Sequence, residues 1–387
     1  MSDFFNVPYY WRLSAFYFCY FAALGALMPY WTLYLDARGF DAQAIGELMA
    51  IIMVSRLLAP MIWANMMECS GRHILFVRLN SFLALLFFLG TLIGHSYGWL
   101  ALVMSCFNFF WSAALPQFEA NTLAHLGAQA HRYTHIRLWG SVGFISTVTL
   151  FGWLFQLVSV LFLPSLMVIL FVSMAISSLL VPEASTPEKT TQITPFWQTF
   201  KNPSVIALFI ACFLMQASHG PYYTFYSIYL EGQGYSRTFI GSFWALGVIA
   251  EVGVFLILHR LFLHFSLQHL LLLSFVLSSF RWLLIGYGVE WTSLLVLAQL
   301  LHAASFGMYH GVAMQFIRHY FMHHQGRAQA LYSSLSFGAG SAVGSLLSGY
   351  TWDNLGADFT FGWAALCCAL GILISWKGIK HENLRLE

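Results

Sequence analysis

The sequence predicts an all-α membrane protein with twelve transmembrane helices in two pseudo-symmetric six-helix halves. Three observations carry this. Of its 387 residues 59% are hydrophobic and 8% charged, and the mean hydropathy is +0.71. A soluble domain carries about a quarter charged residues. Apolar runs of the ~20 residues needed to span a bilayer recur along the whole chain. Finally, two twelve-residue segments, one on each side of a polar linker, resemble each other at a constant offset.

The runs cover roughly 9–35, 42–66, 74–94, 98–124, 136–158 and 161–181, then 204–230, 238–261, 267–287, 291–318, 327–350 and 358–377. The first is too long for a signal-peptide core and no small-residue cleavage site follows it, so it reads as a span. The fourth and fifth are joined by a polar turn near Gly127–Thr134, rich in Gln and His. The segment 182–203 (PEASTPEKTTQITPFWQTFKNP) has the Pro, Thr and charge content of a linker. The expected organisation is therefore an N-terminal half 1–181, a cytoplasmic linker 182–203 and a C-terminal half 204–387. The repeat is LDARGFDAQAIG at 35–46 and LEGQGYSRTFIG at 230–241, an offset of 195 residues. A single duplication of this length suits two parallel halves with a site between them. Near the end of the chain Gly338, Gly340, Gly344 and Gly349, with Ser341, Ser345 and Ser348, give span 11 a small-residue face for close helix contact.

With both termini on one side, that side holds thirteen basic residues: Arg12, Arg72, Arg78, Arg132, Arg137, Lys189, Lys201, Arg260, Arg318, Arg327, Lys377, Lys380 and Arg385. The other side holds Arg38 and Arg237. The positive-inside rule then makes both termini cytoplasmic. The net charge of +2, without a basic stripe, argues against nucleic acid. The six cysteines lack C-x-x-C spacing and read as small core residues. His319 and His323 have metal-like i,i+4 spacing, but no further ligand is evident, and with His324 they read as a solvated helix end. The loops are short and carry no nucleophile–base motif, so the chain is not expected to be an enzyme.

Ionisable residues inside apolar runs are costly, about 2.5–3.5 kcal/mol each on insertion scales, and need a partner or a cavity. Glu119 on span 4 and Arg137 at the start of span 5 flank the polar turn, and two long side chains can close the gap between them. Arg56 on span 2 and Glu251 on span 8 occupy equivalent positions of the repeat. Glu251 has no basic neighbour one turn away and could exchange a proton near neutrality. Arg281 on span 9, His219 on span 7, and His302 and His310 on span 10 are also intramembrane. Histidine can relay protons or bind a polar solute. Tyr30, Tyr222 and neighbouring aromatics of spans 1 and 7 could stack a planar solute. For each of these residues static packing is the competing reading.

Several stretches resemble the major facilitator superfamily, and within it the phenylpropionate permeases. They are Arg137–Phe144 (RLWGSVGF), Gly247–Val252 (GVIAEV), Arg281-Trp282, Gln299–His302 with His310, and Ser55-Arg56-Leu57. A more distant resemblance is to the lactose permease-type proton symporters, through the spacing of Glu119 and Arg137 and through Arg281 and His302. The carboxylate that those symporters carry three residues after this His is Ser305 here. The resemblance implies the major facilitator fold, with spans 1, 4, 7 and 10 lining a central cavity, 5 against 8 and 2 against 11. It implies proton-coupled uptake of a small organic solute, such as an aromatic acid of the 3-phenylpropionate kind, by alternating access. A sugar, oligosaccharide or nucleoside is the alternative solute. Substrate binding is expected at Glu119, Arg137, Arg56, His219, Tyr30 and Tyr222, and proton coupling at Glu251, Arg281, His302 and His310. No cofactor or metal is expected, because the proton gradient supplies the energy. The expected setting is the bacterial inner membrane, as a monomer whose partners are lipid, protons and the solute.

Overall fold

A computed structural model describes residues 9–70, 72–184, 196–322 and 324–379. Much of the linker, 185–195, and His323 therefore lie outside the described residues. The membrane-length helices are α1 (Tyr10–Ala37), α2 (Ala42–Ser70), α3 (His73–Leu89), α4 (Tyr97–Leu126), α5 (Tyr133–Leu157) and α6 (Leu163–Leu179). They continue with α7 (Pro203–Gly232), α8 (Arg237–His264), α9 (Leu267–Gly288) and α10 (Thr292–Tyr320). The last helical run, Gln325–Gly378, is broken at Gly356, where φ is 88°. A side chain rarely tolerates that angle, so glycine divides the run into α11 (325–355) and α12 (357–378). Among the described residues this makes twelve membrane-length helices, and many large apolar side chains stand exposed on them, as a lipid-facing surface requires.

Local chemistry explains the irregularities. Asn202 caps α7 through its side chain, with Pro203 in the first turn where its missing N–H costs nothing. Within α7 the helix changes course at His219, because Gly220-Pro221 cannot continue the hydrogen-bond ladder. Two helices carry π-helical turns, Ala303–Met308 in α10 and Ser334–Gly340 in α11. Such turns add a residue to the ladder and are frequent at functional sites.

The small-residue face of α11 is used on both sides. A Cβ on Gly349 would stand 2.9 Å from Gly46 Cα of α2, and one on Gly344 would collide with Ala217 O of α7. The Thr224 hydroxyl donates to Ser345 Oγ at 3.0 Å across this contact. One end of the molecule is sealed between the two sets of six helices. There Arg237 Nη1 of α8 donates to Phe155 O of α5 at 3.1 Å, and Tyr350 of α11 donates to Glu47 of α2 at 2.9 Å. The Ala42 N–H at the start of α2 donates to Asp353 Oδ2 at 3.3 Å.

Candidate functional site

Behind this seal lies a cavity of about 260 Å³. The first six helices contribute Phe21, Leu24 and Met28 (α1), Met53 and Arg56 (α2), and Arg137, Ser141 and Phe144 (α5). The last six contribute Tyr223 (α7), Trp244, Val248 and Glu251 (α8), His302 and Phe306 (α10), and Phe337 and Ser341 (α11). Phe306 and Phe337 both stand on the π-helical turns. Arg137 in this lining and Glu119 behind it keep 30% and 35% of their side-chain surfaces exposed.

Arg137 and Glu119 meet as their spacing suggests, with Nε and Oε1 3.6 Å apart. Tyr133 steadies the carboxylate by donating to the same oxygen at 3.0 Å. The guanidinium lies 3.9 Å from the centre of the Phe21 ring, a cation–π contact that fixes its plane. Arg56 projects into the cavity and donates through Nε to Asn108 Oδ1 of α4 at 3.4 Å. Opposite, Glu251 Oε2 stands 3.9 Å from His302 Nε2, too far for a hydrogen bond. The His302 and Phe306 rings stack at 5.5 Å and the Phe306 and His310 rings at 6.3 Å, a column along α10.

Other expected site residues sit elsewhere. Helices α1, α7 and α10 line the cavity as expected; among the described residues α4 supplies none of the lining, whereas α2, α5, α8 and α11 contribute to it. Glu119 of α4 stands behind the lining, against Arg137. Tyr30 does not face the cavity. It is fully buried and donates to Val148 O of α5 at 2.6 Å, at the crossing with Gly152 and Gly241. The reason is angular: at about 100° per residue, Tyr30 points roughly opposite to Phe21 on the same helix. Tyr222 forms a layer behind the wall, donating to Gln299 Oε1 at 3.0 Å. His219 is likewise buried there, its Nδ1 2.8 Å from Met215 O. His310 lies one turn beyond the lining, 3.1 Å from the Tyr332 hydroxyl. Arg281 is wholly buried, donating to Ala298 O and Ser305 Oγ at 3.0 Å each, with Tyr222 and Trp282 rings against its guanidinium. Among the described residues it has no carboxylate within 4 Å, so Ser305 stands where the symporter pattern has an acid.

Sequence reasoning missed Ser141, Trp244, Phe306 and Phe337 as lining residues. Glycine pairs mark the seal itself: a Cβ on Gly46 would stand 2.5 Å from Gly349 Cα, and one on Gly241 2.5 Å from Val148 O.

The arrangement is a chamber with basic and acidic groups, sealed at one end between two helix sets. Comparison with known proteins agrees. A family profile described as the MFS_1-like family matches residues 10–363. The probable 3-phenylpropionic acid transporter of Escherichia coli is 30% identical over 351 residues, covering 89% of this chain and 91% of that protein. The maltose permease of Geobacillus stearothermophilus is 25% identical, covering 95% and 94%. In fold, the crystal structure of the nucleoside transporter NupG superposes with a TM-score of 0.82 over 97% of this chain and 100% of that one, at 16% identity. The chain belongs to the MFS_1-like family and is a multi-pass membrane transporter of the major facilitator type.

Proposed function

We propose that this transporter takes up a single-ring aromatic acid of the arylpropionate class together with protons, by alternating access. The observation that carries the reading is two guanidinium groups, Arg56 and Arg137, in a chamber whose remaining wall is mostly aromatic and apolar, with Glu251, His302, Ser141 and Ser341 as its other polar groups. Guanidinium groups recognise carboxylates by geometry as well as charge. Tyr223, Trp244 and Phe306 put aromatic surface in the lining against which a ring could pack. A relative named for 3-phenylpropionic acid points the same way.

In this reading Glu251 exchanges the coupling proton, with His302 beside it, while Arg281, His219 and His310 tune the wall behind. The proton gradient is the energy source and no cofactor takes part. The sealed end faces outward, the termini lie in the cytoplasm of a bacterial inner membrane, and the halves 1–181 and 204–387 rock about the linker 182–203 in a monomer. The test is uptake in proteoliposomes with and without an imposed pH gradient, using labelled 3-phenylpropionate, maltose and a nucleoside. The reading expects gradient-driven accumulation of the aromatic acid. Accumulation of maltose or the nucleoside in its place, or of the acid to the same level without a gradient, overturns it.

A further inference from the structure

The chamber is polarised. Both guanidinium groups come from the first six helices, and the lone carboxyl among the lining residues, Glu251, comes from the last six. Arg56 and Glu251 are equivalent positions of the repeat, so this opposition follows the pseudo-symmetry of the fold. An arylpropionate carboxylate finds its partners on the arginine wall. Glu251 finds none. Its nearest donor is His302 Nε2 at 3.9 Å, and among the described residues no other donor reaches it. One fifth of its side chain is exposed, and that surface faces the chamber. Among the described residues, Nδ1 of His302, on the same wall, is also without a hydrogen-bond partner. A largely buried carboxyl without a donor is costly, unless a bound molecule brings the donor with it. Tyr223, Trp244 and Phe306 line the cavity on the same side as Glu251.

Resting on the arylpropionate reading, we propose that the preferred solute carries a hydroxyl on its ring, at the end remote from the carboxylate. That hydroxyl donates to Glu251 while the carboxylate binds Arg56 and Arg137. Such a molecule touches both sets of helices at once. Its binding energy then falls on the state in which the halves close around it, which is what coupling transport to binding requires. A site with a buried acceptor discriminates strongly against an analogue that lacks the donor, because the acceptor is left unpaired. Glu251 thereby sets specificity as well as exchanging the proton.

The experiment is counterflow of labelled 3-phenylpropionate in proteoliposomes at equal pH on both sides. The competitors are 3-(4-hydroxyphenyl)propionate, 3-(3-hydroxyphenyl)propionate and unlabelled 3-phenylpropionate. In the unaltered protein one of the hydroxylated acids is expected to half-inhibit at about tenfold lower concentration than the unhydroxylated acid. In Glu251→Ala the ratio is expected to fall to about one, whatever the absolute rates, because the acceptor is gone. In Glu251→Gln, which keeps an acceptor oxygen, part of the preference is expected to persist. Equal competition by all three acids in the unaltered protein, which needs no variant to fold, overturns the proposal and leaves the arylpropionate reading standing. A preference that survives in Glu251→Ala does the same. Failure of every acid to exchange or compete overturns the arylpropionate reading and this proposal with it.

Discussion

The glycine contacts of the sealed end give a quantitative prediction. A Cβ on Gly46 would lie 2.5 Å from Gly349 Cα and 2.8 Å from both Gly349 N and Ser345 O. On Gly241 it would lie 2.5 Å from Val148 O and 2.6 Å from the Tyr30 hydroxyl. Carbon contacts settle at about 3.5–4.0 Å, so each helix pair must part by about 1 Å. The obstacles at Gly46 are backbone atoms, which no rotamer change removes. Overpacking of this kind costs about 1–3 kcal/mol. The cost falls on the sealed conformer alone, because opening that end separates α2 from α11 and α5 from α8. At about 1.4 kcal/mol per factor of ten, each alanine shifts the equilibrium toward the opposite-facing conformer by roughly 5- to 150-fold. The two sites share no partners, so Gly46→Ala and Gly241→Ala together should approach additivity. The assay is labelling of a Met28→Cys reporter in a cysteine-free background by an impermeant maleimide applied at the sealed end. Labelling should accelerate at least tenfold in the double variant, and net transport should fall. Gly253→Ala is the control, since a Cβ there meets nothing within 4 Å. Unchanged labelling with normal transport would refute the wedge argument.

Three further outcomes follow from the site and the seal. Arg137→Lys keeps the charge but loses both the guanidinium approach to Glu119 and the cation–π contact with Phe21, so uptake should drop about tenfold while circular dichroism stays unchanged; full transport would reduce the pair to packing. Removing the polar contacts of the seal with Arg237→Gln and Asp353→Asn should act in the direction of the glycine wedges but weakly, about 0.5–1 kcal/mol each, because these groups are partly exposed; a two- to fivefold rise in Met28→Cys labelling is expected, and no rise would assign the seal to the glycines alone. Glu251→Gln should still exchange labelled solute at equal pH yet fail to accumulate it when pH falls outside, and accumulation would move the coupling proton elsewhere.

Much of the fold was legible because bilayer thickness imposes long apolar runs, and twelve of them are visible without structural help. Their ends were less so. Span 5 begins at Tyr133, earlier than apolarity suggests, because a helix start tolerates the polar residues Thr134 and His135. The change of course in α7 was open to view in Gly220-Pro221, whereas nothing in the sequence marks the π-helical turns, which arise from packing. In the site, Arg56, Arg137, Glu251 and His302 stood out because ionisable groups are rare in apolar runs. Phe306, Phe337 and Trp244 carried no such signal in a chain that is 18% aromatic. Tyr30 was the right kind of residue on the wrong face, which the helical angle from Phe21 could have exposed. Arg281 shows the opposite limit: its charge was obvious, but only packing shows that it sits behind the wall.

The duplication joins the seal to the site. Gly46 and Gly241 are the last residues of the repeated segment, and each makes a close approach to the other set of helices. Ten residues further along the same helices, about 15 Å, come Arg56 and Glu251. Each repeat therefore carries one glycine at the seal and one ionisable residue in the chamber on a single rigid helix. The glycines are alike, and each lets its helix approach backbone of the opposite set, Gly46 at Gly349 and Gly241 at Val148. The charges are opposite, so the chamber has a direction even though the scaffold is nearly symmetric. A solute that draws the arginine wall toward the carboxyl wall pulls on α2 and α8 together, the two helices whose far ends hold the seal. In the proposed reading, binding and resealing would be linked along these continuous helices, without a chain of small side-chain movements to carry the signal.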